Sequence, residues 1–412
     1  MTMDAFSDFF PNLLIAAALL GGAVALAPVA QRLRLPGPAA FLAAGITVGL
    51  VGISPFDNLH DLPLQQIGVV ALYAILFQGG LSTGFKAFRD NAQAIGLLAL
   101  PGTAATAGGI ALVGRLIGLD WPLAILVGVA LAPTDPAAVY ATLRGGAARS
   151  NARAVLEGES GFNDPVGISF MVVALAALGS NGASFGEGAL RLTEELGIGV
   201  VGGAVGAALL LLVLRLTPQL DDALQGTALL VGAVIVGAGT ATLHGSGFLA
   251  VYIAGLVLSD AWAKQDSTRH AVPEALAAIA EPLLFGLLGA TFAAQVGWDH
   301  LWQGLVLTLA TVFVVRPPIA FACLAGCGLS RSEKVLVSWG GLKGAVPLLL
   351  GAYPALEGLS ESLDTESIVL VATAASIVVQ GATLHLFAGR ISRDQSDGGE
   401  TGIVPQRAKA GG

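Results

Sequence analysis

Long apolar segments recur along almost the whole chain, and they constrain its fold more than any other feature. A helix needs about 17–25 consecutive apolar residues to cross the hydrocarbon core of a bilayer. Only 12% of the 412 residues are charged, whereas soluble domains carry about 25%, so the chain cannot cover a water-facing surface with polar groups. We predict an all-α membrane protein of about 13 transmembrane helices, at 12–31, 36–53, 63–82, 92–114, 121–142, 152–178, 192–215, 224–243, 246–260, 272–295, 300–327, 333–353 and 366–389.

Lysines and arginines are distributed unevenly between these segments. With the N-terminus outside, the outer loops hold only Arg115 and Arg191, and two more, Arg316 and Lys343, fall within helices. All the others lie in loops or the tail on the opposite side. Cytoplasmic loops are enriched in Lys and Arg, so we predict a multi-pass protein of the cell inner membrane with its C-terminus in the cytoplasm.

Other classes of protein find little support in the sequence. No basic stripe is present to bind nucleic acid. No His/Glu metal spacing, nucleophile motif or glycine-rich phosphate loop appears, so an enzyme ranks last and no cofactor is expected. Cys323 and Cys327 lie four apart in an apolar run, which indicates small buried residues and not a metal site. Asp4 and Asp8 stand where a signal peptide would carry lysines, so no cleavable signal peptide is expected.

The fifth predicted helix is interrupted near its middle. Pro133 and Pro136 bracket Thr134 and Asp135, and each proline removes a backbone donor and disturbs the helix ladder. The helix is therefore expected to break here and to leave unpaired backbone groups facing inward. A broken helix at the midplane is a known way to build an ion site; the alternative is a simple proline kink to which Asp135 is hydrogen-bonded.

The sixth predicted helix concentrates acids at membrane depth, where ionised groups are expensive. Glu159 and Asn163 share one face, and Glu159 requires a cation. Glu157 lies near the inner end, where we expect it to be solvated. Asp164 is deeper and has no cationic neighbour in sequence, so a proton or a bare metal cation would satisfy it, and the two would compete.

Two basic residues also fall within apolar segments. Lys343 is surrounded by glycines in the twelfth helix, which predicts another interruption; it is a candidate partner for Glu159 or Asp135, or a lysine that reaches the interface. Arg316 precedes two prolines, and we expect it to cap that break or to pair an acid such as Glu281.

These interruptions form a pattern. Helices four to six and eleven to thirteen each have a proline-broken middle helix, carrying Asp135 in one case and Lys343 in the other. Because the breaks lie in the fifth and twelfth helices, an odd offset of seven, the bundles cross the membrane in opposite senses. This is an inverted repeat, as in many secondary transporters, and an acid and a base on the breaks would neutralise the facing helix dipoles.

At these residues the chain resembles the monovalent cation/proton antiporters of the NhaP type, closest to their bacterial potassium/proton or sodium/proton branch. The resemblance rests on Thr134-Asp135-Pro136, on the run from Glu159 to Asp164 and on the run from Trp339 to Pro347, and it extends over about residues 10–390. It implies an NhaA/NhaP-like fold with two crossing broken helices, and a homodimer. The implied regions are dimerisation helices in 1–91, core helices in 92–180, a linker helix and dimerisation helices in 181–298, core helices in 299–390 and a disordered cytoplasmic tail in 391–412.

The resemblance also implies roles for individual residues. Asp164 would carry the ion and the proton in turn, and would bind the transported metal cation together with Thr134. Asn163 would assist and Asp135 would hold the crossover. Members with Asn-Asp usually exchange one cation for one proton, so Asn163 favours electroneutral exchange.

Two departures from the family accompany these roles. The family usually has arginine at the position of Lys343, where it pairs the glutamate that matches Glu159, so a Glu159–Lys343 ion pair is expected. A lysine deprotonates more easily than an arginine, so Lys343 is a further candidate for carrying a proton during exchange. The potassium branch often carries cytoplasmic regulatory domains, and regulation by such a domain is not expected here.

The predicted function is therefore exchange of Na+, K+ or Li+ for H+ by alternating access. The sequence does not choose among these cations, since carboxylate and carbonyl oxygens bind all three. An organic-anion transporter on a related two-bundle fold is the first alternative, and it would need basic residues at its site. An ion channel is the second, and it would conduct current.

Overall fold

The computed structural model describes residues 4–33, 35–52, 62–135, 151–178, 185–262, 267–295, 298–356, 358–359 and 362–399. Within these ranges the chain forms helices and no strands. The helices are α1 (Asp4–Arg32), α2 (Gly37–Leu50), α3 (Leu62–Thr83), α4 (Phe85–Asp90), α5 (Ala92–Leu116), α6 (Trp121–Ala130), α7 (Asn151–Leu178), α8 (Phe185–Leu216), α9 (Asp222–Thr242), α10 (Gly247–Trp262), α11 (Ser267–Gln295), α12 (Leu301–Cys323), α13 (Arg331–Trp339), α14 (Ala345–Leu356) and α15 (Ser362–Gly399).

The helix positions agree with the apolar segments of the sequence. In the described ranges nine helices are long and apolar enough to cross a membrane, and α2, α6, α10 and α14 are shorter apolar helices. Each predicted span overlaps one of these thirteen. A helix of 10–17 residues reaches only about 15–25 Å, short of the ~30 Å hydrocarbon core, so the total of 13 spans stays a prediction.

Glycines bring pairs of helices into backbone contact. A Cβ at Gly45 of α2 would overlap the Gly286 carbonyl of α11. In the same way, a Cβ at Gly80 of α3 would overlap the Tyr252 carbonyl of α10, and one at Gly255 of α10 would overlap the Phe77 carbonyl of α3. Small residues permit such close approach in membranes, which accounts for much of the high glycine content.

The two predicted repeats share an irregularity in their first helix. α5 contains a π-helical turn at Leu98–Gly102, and α12 contains one at Thr311–Val315. The two helices pack against each other in opposite directions, with Gly109 on Val315 and Gly102 on Cys323. Their matching features agree with the inverted repeat expected from the sequence.

Both predicted interruptions are present. α6 ends at Ala130, and residues 131–135 leave the helix; the rest of the predicted fifth span lies outside the described residues. α13 ends at Trp339 and α14 begins at Ala345, with an irregular segment between them.

The ends of α9 and α15 bear on two further predictions from the sequence. The split between the eighth and ninth spans falls where His244 adopts a left-handed backbone conformation with a φ of 61°, which ends α9. The last helix, α15, continues to Gly399, past Arg390, where the sequence predicts a disordered tail.

Candidate functional site at the crossing of two interrupted helices

The two interrupted helices meet through their main chains. The amide of Asp135 donates a 2.8 Å hydrogen bond to the carbonyl of Leu342. The Asp135 carboxyl group occupies the space that a Cβ at Gly344 would take. This contact confirms the predicted crossing and explains why the second break carries glycine at this position.

Lys343 is buried beside the first break, at 3% exposure. Its ammonium group donates to the carbonyls of Ala132 and Pro133, both at 3.2 Å. Its own amide donates to Ser376 Oγ at 3.0 Å, so α15 also holds the second break. Lys343 thus satisfies carbonyls that the end of α6 leaves without helical partners.

The expected Glu159–Lys343 ion pair is wrong. Glu159 pairs instead with Arg316, whose Nη2 lies 2.8 Å from Oε1 and 2.9 Å from Oε2. Both residues are almost fully buried. The arginine reaches its partner because position 341 is glycine: a Cβ there would overlap the guanidinium group. The ammonium of Lys343 instead donates to the two carbonyls of the first break.

Arg316 is therefore not the partner of Glu281, as the sequence suggested. Glu281 lines the same cavity as Asp164, on the side of α11. The physical reason for the error is sequence distance, because Glu159 and Arg316 are 157 residues apart and spacing gives no information on such a pair.

Thr134 and Asn163 are joined by two hydrogen bonds. The Asn163 amide group donates to Thr134 Oγ1 at 2.9 Å, and its carbonyl oxygen accepts from the Thr134 amide at 3.3 Å. Thr134 Oγ1 also lies 2.9 Å from Ser160 Oγ. Sequence analysis missed Ser160, although its position three residues before Asn163 on a helix indicates a shared face.

Asp164 is the acid that these neighbours surround. It is 4% exposed, and its Oδ1 is buried without a hydrogen-bond partner among the residues described. Asp135 and Lys343 are the charged residues of the crossing that lie close enough to Asp164 to interact with it electrostatically. A buried ionised carboxylate without a partner is strongly disfavoured, so this oxygen is ready to take a proton or a cation.

A cavity of about 660 Å³ leads from the surface to Asp164. Its wall is formed by α2, α3, α7, α10 and α11, and its acids are Glu157, Glu274, Glu281 and Asp164. The described residues that line it include no lysine, arginine or histidine. Clefts lined by one sign of charge concentrate ions of the other sign, so this cavity attracts cations.

A second, much smaller cavity of about 20 Å³ lies beyond the first. Asp164 and Glu281 border both cavities, and Thr134, Asp135 and Pro347 border only the small one. A cavity needs roughly 10–15 Å³ to hold a water molecule, so the small cavity has room for one water or a bare monovalent ion.

Glu157, at the mouth of the large cavity, differs from expectation. It is 9% exposed, and the Arg153 Nε lies 2.7 Å from its Oε1. The expectation of a freely solvated side chain is therefore wrong. Cys323 and Cys327 are free thiols that are partly buried and not fully buried as predicted, and no group of three metal-ligating side chains occurs among the described residues.

A buried acid at the crossing of two interrupted helices, inside an inverted repeat and at the base of an acidic cavity, is the arrangement of a secondary transporter. The transmembrane sodium/hydrogen exchanger family matches residues 15–389. The chain belongs to this family.

Individual relatives agree with this assignment. The chain is 31% identical to a K+/H+ antiporter NhaP2 of Shewanella baltica in an alignment of 394 residues that covers 93% of this chain and 67% of the relative. It is 25% identical to the Na+/H+ antiporter ApNhaP of Aphanothece halophytica, over 93% of this chain and 75% of that protein. The sodium proton antiporter MjNhaP1 of Methanocaldococcus jannaschii shares the fold, with a TM-score of 0.77 at 22% identity over 93% of this chain and 99% of that one.

Proposed function

We propose that this protein exchanges a monovalent cation for protons across the membrane by alternating access, with both ions competing for Asp164. The observation that carries the proposal is the buried Asp164 Oδ1, which has no partner in the described part of the chain and faces an acidic cavity. An oxygen in this position binds either ion but not both at once. Competition of this kind couples the two fluxes.

The residues around Asp164 have distinct roles in this proposal. Thr134 and Asn163 hold each other through two hydrogen bonds, and Thr134 borders the small cavity next to Asp164. Thr134 is therefore a ligand of the bound cation, and Asn163 positions it. Asp135 and Lys343 stabilise the crossing of the two interrupted helices, and their charges set the electrostatic field at Asp164.

The cavity opens toward one side of the membrane. Apart from Tyr252 of α10, its lining comes from the start of α2, the second half of α3 and the first halves of α7 and α11. With the N-terminus outside, these ends lie on the cytoplasmic side, which supports an inward-open state. On the other side, Leu72, Phe285 and Val346 border the small cavity and close it.

The protein works as two groups of helices in a homodimer. α1–α3 and α9–α11 form the dimerisation scaffold, with α8 as a linker, and α5–α7 and α12–α15 form the core that carries Asp164. The core moves against the scaffold to change the side from which Asp164 is reached. Only the protonated or cation-loaded core crosses, since a bare carboxylate is costly in the membrane.

The substrate is Na+ or K+, and Li+ is a further candidate. The names of two relatives favour these ions, since one is a K+/H+ antiporter and the other a Na+/H+ antiporter. Asn163, in place of a second acid beside Asp164, favours exchange of one cation for one proton. The acids of the cavity disfavour an organic anion as substrate.

A proteoliposome assay tests the function. Protein reconstituted with a pH-sensitive dye inside is exposed to Na+, K+, Li+ or choline, and we expect proton flux with one or more of the metal ions and none with choline. Asp164→Asn should abolish the flux, and the matched variant Asp260→Asn, at an exposed position of α10, should retain it.

Two results would overturn the proposal. One is full exchange by the Asp164→Asn protein. The other is an ion current without coupled proton flux, which would identify a channel.

A further inference from the structure

One contact between scaffold and core lies on the route to Asp164. On α7, Glu157, Gly161 and Asp164 are spaced by four and three residues, so they share one face, and all three line the large cavity. Gly161 lies about 6 Å along the helix from Glu157 and about 4.5 Å from Asp164. This turn of α7 therefore separates the mouth of the cavity from its base.

The ring of Tyr252, from α10, rests directly on this turn. Tyr252 is completely buried and lines the cavity together with Gly161. A Cβ at Gly161 would overlap the Cε2 and Cζ atoms of the ring and would lie 2.8 Å from Cδ2. The ring thus fills the space that any other residue at position 161 would need.

Helix α3 holds Tyr252 on the scaffold. Its backbone lies against Gly80 of α3, where a Cβ would overlap the Tyr252 carbonyl. On the core side, its ring packs edge-on against Phe162 of α7, with centroids 5.6 Å apart, and Phe88 stacks on Phe162 at 5.4 Å. The hydroxyl donates to Thr83 Oγ1 of α3 over a long 3.4 Å, so α3 holds Tyr252 mainly through the backbone contact at Gly80.

We propose that the ring of Tyr252 sets the clearance for the change of access: α10 holds the ring on the scaffold, and the Gly161 turn of α7 passes over it when Asp164 changes sides. The inference rests on the proposed function, since it needs a core that moves. Glycine at 161 is then required for movement. Alanine is the better helix former, so α7 itself gives no reason to avoid it there.

A set of variants tests this assignment in the same proteoliposomes. Gly161→Ala should lower the maximal exchange rate by about tenfold or more, as blocked conformational steps do, while the apparent KM for the cation stays nearly constant. Tyr252→Phe keeps the ring and should exchange like the wild type. Adding Tyr252→Ala to Gly161→Ala removes the overlap and should restore most of the rate, a coupling that a double-mutant cycle measures.

The scaffold supplies a matched control. Gly237 also faces a tyrosine ring, since a Cβ there would lie 2.6 Å from Cε2 of Tyr73, but both residues belong to scaffold helices. Gly237→Ala should lower the yield or thermal stability without changing the exchange rate per folded molecule. Tyr73→Phe should leave the rate unchanged.

The outcomes separate the two proposals. If the wild type shows no exchange, the proposed function fails. If the wild type exchanges and Asp164→Asn does not, but Gly161→Ala exchanges at the full rate or is not rescued by Tyr252→Ala, then the role of Tyr252 is refuted and the function stands.

Discussion

The amide of Asp135 donates a 2.8 Å hydrogen bond to the carbonyl of Leu342 and so joins the main chains of the two interrupted helices. The side chains around this bond make different contacts. The ammonium of Lys343 binds the carbonyls of the first break, and the glycine at 344 leaves room for the Asp135 carboxyl group. The crossing is thus held by main chain and by one base, and Asp164 remains available beside it.

Asn163→Asp places a second acid beside Asp164. Thr134 can donate its hydroxyl to the new carboxylate, so the protein should fold, but the site would take up an additional proton. We expect wild-type exchange to carry no net current, and exchange by the variant to carry one, measurable by electrophysiology on a solid-supported membrane. Asn151→Asp, at the exposed start of the same helix, is the control. A variant that stays insensitive to voltage would contradict the stoichiometry.

Removal of Glu159 should destabilise the core. Glu159→Ala leaves the Arg316 guanidinium buried without its carboxylate, and breaking a buried ion pair from one side costs about 3–5 kcal/mol. Thermal unfolding in detergent should show a large loss of stability. The double variant Glu159→Leu with Arg316→Met should recover most of it, because no uncompensated charge remains.

An exposed ion pair supplies the control for this experiment. Arg89 and Asp90 lie 3.8 Å apart, with side chains 67% and 52% exposed, and Asp90→Ala should cost less than about 1 kcal/mol. Equal losses of stability from Glu159→Ala and Asp90→Ala would mean that the buried Glu159–Arg316 pair stabilises the protein no more than an exposed pair does.

Lys343→Met should abolish exchange. It leaves the carbonyls of Ala132 and Pro133 without their donor and removes a positive charge from beside Asp164, so the first break loses its geometry. Lys343→Arg keeps the charge and can donate to both carbonyls, and it should retain exchange within about tenfold of the wild type. Proton flux in proteoliposomes measures both, with Lys86→Met, at an exposed position, as the control. Normal exchange by Lys343→Met would exclude this role.

Gly344→Ala should disturb the crossing by overpacking. The new Cβ would overlap the Asp135 carboxyl group, and overpacking of this kind typically costs about 1–3 kcal/mol. We expect a lower unfolding temperature and reduced exchange. Gly108→Ala, where nothing lies within 4 Å, should behave like the wild type. If both variants were equally stable, the close fit at Gly344 would be irrelevant.

Much of the fold follows from local signals in the sequence. Apolar length places the helices, since spanning a bilayer leaves few other options. The prolines around Thr134 and the glycines around Lys343 place the two breaks, because they remove donors and side chains where helices must end. The odd offset between the fifth and twelfth helices, which carry the breaks, then predicts the inverted arrangement.

The choice of charge partners does not follow from local signals. The sequence offers Arg316 and Lys343 as bases for Glu159, and only the absence of a side chain at Gly341 lets the arginine reach it. A similar long-range fit ties the Lys343 amide to Ser376. Such pairings depend on the relative placement of distant helices, which periodicity and spacing do not determine.

The partners found at the crossing have an electrical consequence. In their ionised forms, Asp135, Glu159 and Asp164 contribute three negative charges, and Arg316 and Lys343 contribute two positive ones. Occupancy of Asp164 by one proton or by one monovalent cation brings the group to zero. Under the proposed cycle both transits then carry no net charge, so the membrane potential does no work on them, and the two concentration gradients alone set the direction of exchange.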